Sequence, residues 1–380
     1  MSNSPQIPFN KAYLTGKEAL YIQDVLSGEE RLSGNGKYAK ACQSFFEQRY
    51  GIKKALMTTS CTHALEMCAL LLDIEKGDEV IIPSYTFVST ANAFALRGAK
   101  IRFADSLSDH PNVDPKSIHS LITPKTKAIV VVHYAGYPCD MNAIMEMANE
   151  QEICVIEDAA QAIEGNYKGK ALGSIGHLAT FSFHETKNIQ CGEGGLLAIN
   201  DAEFIERAEV IWEKGTNRSA FLEGKVDHYE WVDLGSSYLP SELNTAFLYG
   251  QLEEIDNIQL KRKEVWNVYK RAFEQFSDES LKSDNSPILI QEEISNAHMF
   301  YVLFEDKESR DRAIVRLKSK GFQAVFHYQS LHRSLYFKTK YEGEELQFAD
   351  YFSDCLLRLP FHHEMNEDLV FQCVESLLEI

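Results

Sequence analysis

Ile153-Cys154-Val155-Ile156-Glu157-Asp158-Ala159-Ala160-Gln161-Ala162 runs from an apolar stretch straight into two acids and then into small residues. Apolar without alternation, residues 153–157 suit a strand buried on both faces, as in parallel or mixed sheets covered by helices. Ligands of open α/β sheets gather at the carboxyl ends of strands, which is where Asp158 falls. Capping of a following helix by Glu157 or Asp158 is the competing reading.

Similar β-type runs lie on either side, at residues 54–57, 79–83, 100–104, 127–133, 179–183 and 196–200. Helical stretches at 62–73, 84–97, 142–151 and 202–214 separate some of them. This alternation predicts an α/β layered domain with crossover helices. From 241 to about 276 the chain is Pro-free, amphipathic and too long for one ordinary helix, so a kink or a bridge between domains is expected. Residues 277–286 read as a polar loop. Strands near 297–304 and 323–328 and helices near 309–320, 346–357 and 367–380 then predict a smaller α+β domain. The division is 1–250 and 251–380.

Composition narrows the function. The 380 residues are 44% hydrophobic and 25% charged, ordinary for a soluble globular chain. Lys plus Arg number 38 against 56 Asp plus Glu, a formal charge of -18, which argues against broad binding to nucleic acid or anionic membranes. The apolar runs are far too short for a bilayer, and the start carries no signal pattern. Eight cysteines without a CxxC read as core residues or free thiols of a reducing cytoplasm. An enzyme of the cytoplasm is the class that remains.

Thr180-Phe181-Ser182-Phe183-His184-Glu185-Thr186-Lys187-Asn188 ends a strand in a polar turn, and Cys191-Gly192-Glu193-Gly194-Gly195 follows. A lone lysine is ordinarily a solvated charge. Beside a strand end and a glycine cluster, with Asp158 at another strand end, Lys187 suits a Schiff-base lysine whose partner acid stabilises a pyridinium nitrogen. Pyridoxal phosphate needs both: an amine for its aldehyde and an anion that keeps its ring nitrogen protonated. Its phosphate needs donors, and Thr58-Thr59-Ser60-Cys61-Thr62-His63 leads from a strand into a helix whose amino end favours an anion. Simple capping by Ser60 or Thr62 explains the same hydroxyls. Ser182 could add another. No dinucleotide fingerprint, P-loop or nucleophile elbow is present. His184-Glu185 and His362-His363-Glu364 lack a second histidine at metal-ligand spacing, so no metal is expected.

Taken together, residues 77–90 (GDEVIIPSYTFVST), VIEDAAQA, FSFHETKN, GEGG and Lys214-Gly215-Thr216-Asn217-Arg218 make the chain resemble, over essentially its whole length, the DegT/StrS-type sugar aminotransferases. The resemblance implies the aspartate-aminotransferase type of fold, pyridoxal-phosphate fold type I. Its large domain holds a mixed, mostly parallel seven-stranded sheet, and a smaller C-terminal α+β domain follows. It implies a cytoplasmic homodimer with shared sites, and pyridoxal 5'-phosphate as cofactor. Lys187 would carry the cofactor and move protons, Asp158 would meet the pyridine nitrogen and Gln161 the ring hydroxyl. Cys61, Thr62 and Ser182 would hold the phosphate, and Phe87 would stack on the ring. Relatives place an Asn of a Gly-Tyr-Asn-Tyr stretch on the partner's phosphate; here Ser237 stands at that position and reaches less far. Lys214 and Arg218 are candidates for the substrate diphosphate, or a basic helix end. His184, His327 and Tyr328 are candidate sugar or nucleotide contacts, the last two equally readable as packing residues.

The implied reaction moves the amino group of L-glutamate to C4 of dTDP-4-keto-6-deoxy-D-glucose, giving dTDP-4-amino-4,6-dideoxy-D-galactose for surface polysaccharide. Alternatives are the C4 epimer, amination at C3, another nucleotide, or a cofactor-binding sensor. A sensor would lose the lysine or the acid, and both are present.

Overall fold

A computed structural model describes residues 7–28, 31–276 and 295–378, so the loop expected at 277–286 lies outside the described residues. The large sheet contains β1 (Lys54–Thr58), β2 (Glu79–Pro83), β3 (Lys100–Ala104), β4 (Thr126–Val132) and β5 (Cys154–Asp158). After a short hairpin of β6 (Asn166–Tyr167) and β7 (Lys170–Ala171) come β8 (Leu178–Ser182) and β9 (Gly195–Ile199). Its order is β1-β9-β8-β5-β4-β2-β3. β9 pairs antiparallel with both β1 and β8, and the other pairings are parallel. This is the mixed, mostly parallel seven-stranded sheet that the family resemblance implies, and its strands fall on the apolar runs.

Helices cover both faces. α1 (Lys17–Leu26) and α2 (Lys37–Tyr50) precede the sheet, and α3 (Cys61–Leu71), α4 (Val88–Ala95), α5 (Pro115–Leu121), α6 (Met141–Glu150), α7 (Ile205–Trp212) and α8 (Arg218–Leu222) follow its strands. Period-two alternation assigns the faces. Ile156 packs with residues of α3, α4 and α7, whereas Val155 packs with Ile144 and Ala148 of α6. Local signals set the helix starts: Asp114 caps α5 with Pro115 behind it, and Asp140 caps α6. The helix expected over 84–97 begins only at Val88, because the Ser84 N–H is committed to the Ala104 carbonyl and its hydroxyl to His332.

The 241–276 stretch breaks, as its length predicts, into α9 (Glu242–Leu252) and α10 (Ile255–Phe276). Ile255 and Ile258 of α10 pack under the large sheet, whereas Val265, Trp266, Tyr269 and Phe273 pack under the small one. Each of those buried large side chains contributes roughly 1.5–3 kcal/mol. The boundary placed near 250 falls inside α9, and the change of partner core comes further on, along α10.

The C-terminal part holds β10 (Tyr301–Leu303), α11 (Lys307–Ser319), β11 (Val325–Phe326), α12 (Gln347–Cys355), β12 (Leu356–Arg358) and α13 (Glu367–Leu378). Its sheet order is β10-β12-β11, antiparallel throughout. Residues 356–357, expected to end a helix, instead open the middle strand; pairing with Tyr301–Leu303 outweighs local preference. The amino-terminal residues join this part rather than the large sheet. Gln323 donates to the Ile7 carbonyl and Phe361 to that of Phe9, while Lys11 pairs with Glu364 at 2.6 Å.

Candidate active site

All the large-sheet strands except β9 point the same way, so the segments leaving β1, β2, β4, β5 and β8 collect along one edge. There the two acids of β5 part company. Glu157 turns to the α6 face, fully buried, where it accepts the Gly173, Ile175 and Gly176 N–H groups at 2.8, 2.7 and 2.6 Å and meets His133 Nε2 at 2.9 Å. Burial opposes its charge, but the hydrogen bond from His133 and the backbone amides hold it below the usual carboxylate range. Its task is structural. Glu157→Ala is expected to destabilise the fold by on the order of 3–5 kcal/mol, since buried amides lose their acceptor. A thermal melt unchanged from the wild type would contradict this role.

Asp158 faces the other way. Its Oδ2 accepts the Thr90 hydroxyl of α4 at 2.8 Å and its Oδ1 the Ala160 N–H at 3.2 Å. It is buried and has no cation in ion-pair contact among the described residues. Burial accordingly pushes its carboxyl up, against those two donors and the more distant charge of Lys187. A protonated ring nitrogen would supply what this carboxylate lacks.

Lys187 stands in the loop between β8 and β9, its N–H closing a turn on the His184 carbonyl at 2.9 Å. The residue is half-buried, and its amine has no acid in ion-pair contact among the described residues. Burial pushes it down to about 8, opposed by Cys61 and Asp158 and assisted by Arg358. The next residue fixes the loop. Asn188 Nδ2 donates to Gln259 Oε1 at 3.0 Å and to the Asn296 carbonyl at 2.9 Å, and its Oδ1 meets His298 Nδ1 at 2.7 Å.

The amino end of α3 adjoins both strand ends. The Ser60 hydroxyl caps His63 N–H at 3.1 Å, Cys61 Sγ lies 3.5 Å from Thr180 Oγ1, and Thr62 donates to Ser89 at 2.8 Å. Gly195 makes the approach possible, because a Cβ there would run into the backbone of Ser60 and Cys61. Ser182 ends β8 across from Gly195 and accepts only a long 3.4 Å bond from His184 N–H among the described residues. Phe87, the residue before α4, remains 54% exposed and lies 6.0 Å from the Tyr328 ring. An aromatic shelf, a carboxylate without a cation, a depressed lysine and a helix amino end with hydroxyls suit pyridoxal phosphate. Among the described residues, no group of three or more His, Cys, Asp or Glu is placed to hold a metal ion.

The remaining candidates divide. Gln161 is buried and engaged, accepting Ala135 N–H at 2.7 Å and donating to the Tyr328 hydroxyl at 3.0 Å. His327 meets the Tyr134 hydroxyl at 3.1 Å, and the Tyr328 ring lies 6.0 Å from that of Phe87, so both side chains pack among other rings. His184 bonds to Thr186 at 2.9 Å on the loop of Lys187. Lys214 is exposed, and Arg218 pairs with Glu213 at 3.1 Å. Ser237 is exposed beside Tyr238, whose carbonyl takes Thr59 N–H at 3.0 Å. Sequence reasoning missed Thr90, Asn188 and Arg358. Arg358 carried a signal, a charge inside the apolar run Leu356-Leu357-Arg358-Leu359.

A sequence profile described as the DegT/DnrJ/EryC1/StrS aminotransferase family matches residues 13–378. An uncharacterized protein of Methanocaldococcus jannaschii is 30% identical over 347 residues, covering 89% of this chain and 88% of its own length. PseC of Helicobacter pylori, an aminotransferase involved in the biosynthesis of pseudoaminic acid, shares the fold with a TM-score of 0.88 at 23% identity, over 98% of either chain. DesV of S. venezuelae matches with a TM-score of 0.86 at 26% identity, over 99% of this chain and 98% of its own.

Proposed function

Because the chain belongs to the DegT/DnrJ/EryC1/StrS aminotransferase family, and is thus an aminotransferase that works with pyridoxal phosphate, we propose that it aminates a nucleotide-linked sugar. The substrate we assign is dTDP-4-keto-6-deoxy-D-glucose, aminated at C4 with L-glutamate as donor to give dTDP-4-amino-4,6-dideoxy-D-galactose. One observation supports the reading most. Asp158 ends β5 and Lys187 lies in the loop that leaves its parallel neighbour β8, at the same sheet edge, yet neither has an ion-pair partner among the described residues.

Bound there, pyridoxal phosphate supplies an electron sink for the carbon that bears the transferred nitrogen. Lys187 Nζ, pushed down to about 8 by burial, can take a proton from the donor carbon and return one to the sugar carbon near neutral pH. Asp158, aligned by Thr90 and the Ala160 amide, would hold the ring nitrogen of the bound cofactor in its protonated form. Cys61, Thr62 and Ser182 would hold the phosphate, and Phe87 would stack on the ring. Gln161 would meet the ring hydroxyl through the N–H it does not give to Tyr328. Lys214 and Arg218 take the substrate diphosphate, and His184, His327 and Tyr328 line the sugar side.

We assign the same chemistry to a cytoplasmic homodimer. Phe221, Leu222, Tyr229, Trp231, Val232 and Leu234 leave an exposed apolar strip, Trp231 at 77%, on the segment that leads to Ser237. In that assembly Ser237 serves the partner's phosphate.

The test combines spectroscopy with product analysis. The purified protein should absorb in the visible, bleach with L-glutamate and recover with the 4-keto sugar. Small C4-proton couplings in the product's NMR spectrum are expected for the galacto configuration. Large couplings would assign the gluco epimer, and an amino group on C3 would overturn the regiochemistry.

A further inference from the structure

β3 is the outermost strand of the large sheet, and a cavity of about 870 Å³ opens along it, sharing no residue with the site around Lys187. That volume lies within the roughly 300–1,000 Å³ of small-molecule sites. One wall is β3 with α5, and the other is the segment from Phe337 to Phe348 of the C-terminal part. Asp105 ties the walls together. From the end of β3 its carboxylate accepts the Phe348 and Ala349 N–H groups of α12 at 3.2 and 2.7 Å.

The two walls differ in charge. On the sheet side Lys100, Arg102 and Lys116 line the cavity. The acids near them are engaged: Glu79 pairs with Arg102 at 3.1 Å, Asp114 accepts the Lys116 N–H at 2.9 Å, and Asp105 serves α12. Lys100 reaches Glu79 only at 3.9 Å, and Lys116 has no acid in ion-pair contact among the described residues. On the facing segment Lys340 lies 3.5 Å over the Tyr336 ring, while Glu342, Glu344 and Glu345 are exposed and have no cation in ion-pair contact among the described residues. Rings lie between. Phe337 and Tyr341, both half-buried, are centred 5.0 and 6.0 Å from the buried Phe103 ring. A flat aromatic group can pack there, with an anion reaching the lysines and a cation the glutamates.

We propose that this cavity is a second binding site, for a nucleotide whose far end carries an amine. Base, phosphates and ammonium would meet rings, lysines and glutamates in turn. The proposal rests on the sugar-amination reading, because the compound that unites those three groups is the amino-sugar nucleotide released by that reaction. It gives the product a place to act away from the catalytic cleft. The lining segment has a route there. The Tyr341 ring is centred 4.9 Å from His332, and His332 Nδ1 meets the Ser84 hydroxyl at 2.7 Å. The adjacent Tyr85 ring lies 6.0 Å from Tyr328, whose hydroxyl takes Gln161 Nε2–H at 3.0 Å, three residues past Asp158. A ligand held between the walls loads both parts of the chain, so product slows turnover as well as competing with substrate.

Binding is measured by calorimetry on enzyme carrying the amine form of the cofactor, which does not react with an amino sugar. The probes are dTDP-4-amino-4,6-dideoxy-D-galactose and thymidine diphosphate. Wild type should take two molecules of the amino-sugar nucleotide per chain, and Lys100→Glu/Lys116→Glu only one, its cavity affinity falling about tenfold or more. Glu342→Gln/Glu344→Gln/Glu345→Gln should hold the amino-sugar nucleotide in the cavity about three- to tenfold more weakly, and thymidine diphosphate as before. Without added product both variants, whose changes are all at exposed positions, should turn over within about twofold of wild type. Added product should lower kcat in wild type and only raise KM in the lysine variant. One molecule per chain in a wild type that aminates the keto sugar would overturn the second site and leave the function standing, as would two per chain in the lysine variant. A kcat untouched by a filled cavity would overturn the route to the cleft. Loss of one molecule with the lysines, in a protein that does not aminate the sugar, would keep the cavity and remove the function.

Discussion

Lys187→Ala is expected to abolish the visible absorbance of the covalently held cofactor and to lower turnover by about 10⁴-fold or more. Both losses come from one amine, which is the attachment point and the proton carrier. Its environment adds a second, independent measurement. An ordinary lysine titrates near 10.4, whereas burial pushes Lys187 down to about 8. Only the neutral amine attacks an aldehyde. Recombination of the wild-type apoprotein with pyridoxal phosphate should therefore quicken as pH rises through 8 and then level off. At pH 7 the rate should be about a tenth of the plateau. A rate still climbing at pH 10 would mean that the amine is not depressed. A Lys187→Ala variant that kept absorbance and turnover would remove the lysine from the mechanism.

Asp158→Asn should cost about 10²–10³-fold in turnover and also weaken cofactor binding. The substitution keeps the shape and the acceptor for the Thr90 hydroxyl, so the loss isolates the charge. Without that anion a bound cofactor's ring nitrogen would not stay protonated, and the electron sink it supplies would weaken. Thr90→Val, which removes one of two donors to the carboxylate, should cost only roughly tenfold. Equal kinetics for Asp158→Asn and wild type would show that the ring nitrogen is served by another group.

Much of this site lies on local sequence. Asp158, Lys187 and the Ser60–Thr62 turn each fall where a strand stops, and strand ends are legible from apolar runs that break into polar residues. The large-sheet strands follow for the same reason, several of them being apolar without interruption. What sequence did not disclose depends on approach between distant segments. Thr90 is one hydroxyl in a helix until α4 lies beside β5. Asn188 gains its meaning from Gln259, Asn296 and His298, more than 70 positions away. Residues 356–357 read as a helix end because Leu-Leu suits either state, and only β10 and β11 decide between them. Arg358 could have been flagged as a charge in an apolar run, but that its Nε lacks a hydrogen-bond partner among the described residues is visible only in three dimensions.

α10 is common property. Ile255 and Ile258 anchor one end of it in the hydrophobic layer beneath the large sheet, while Trp266, Tyr269 and Phe273 anchor the other beneath the small one. Loss of order on either side strips a single rod of half its support, so the protein should melt cooperatively rather than shed its C-terminal third first.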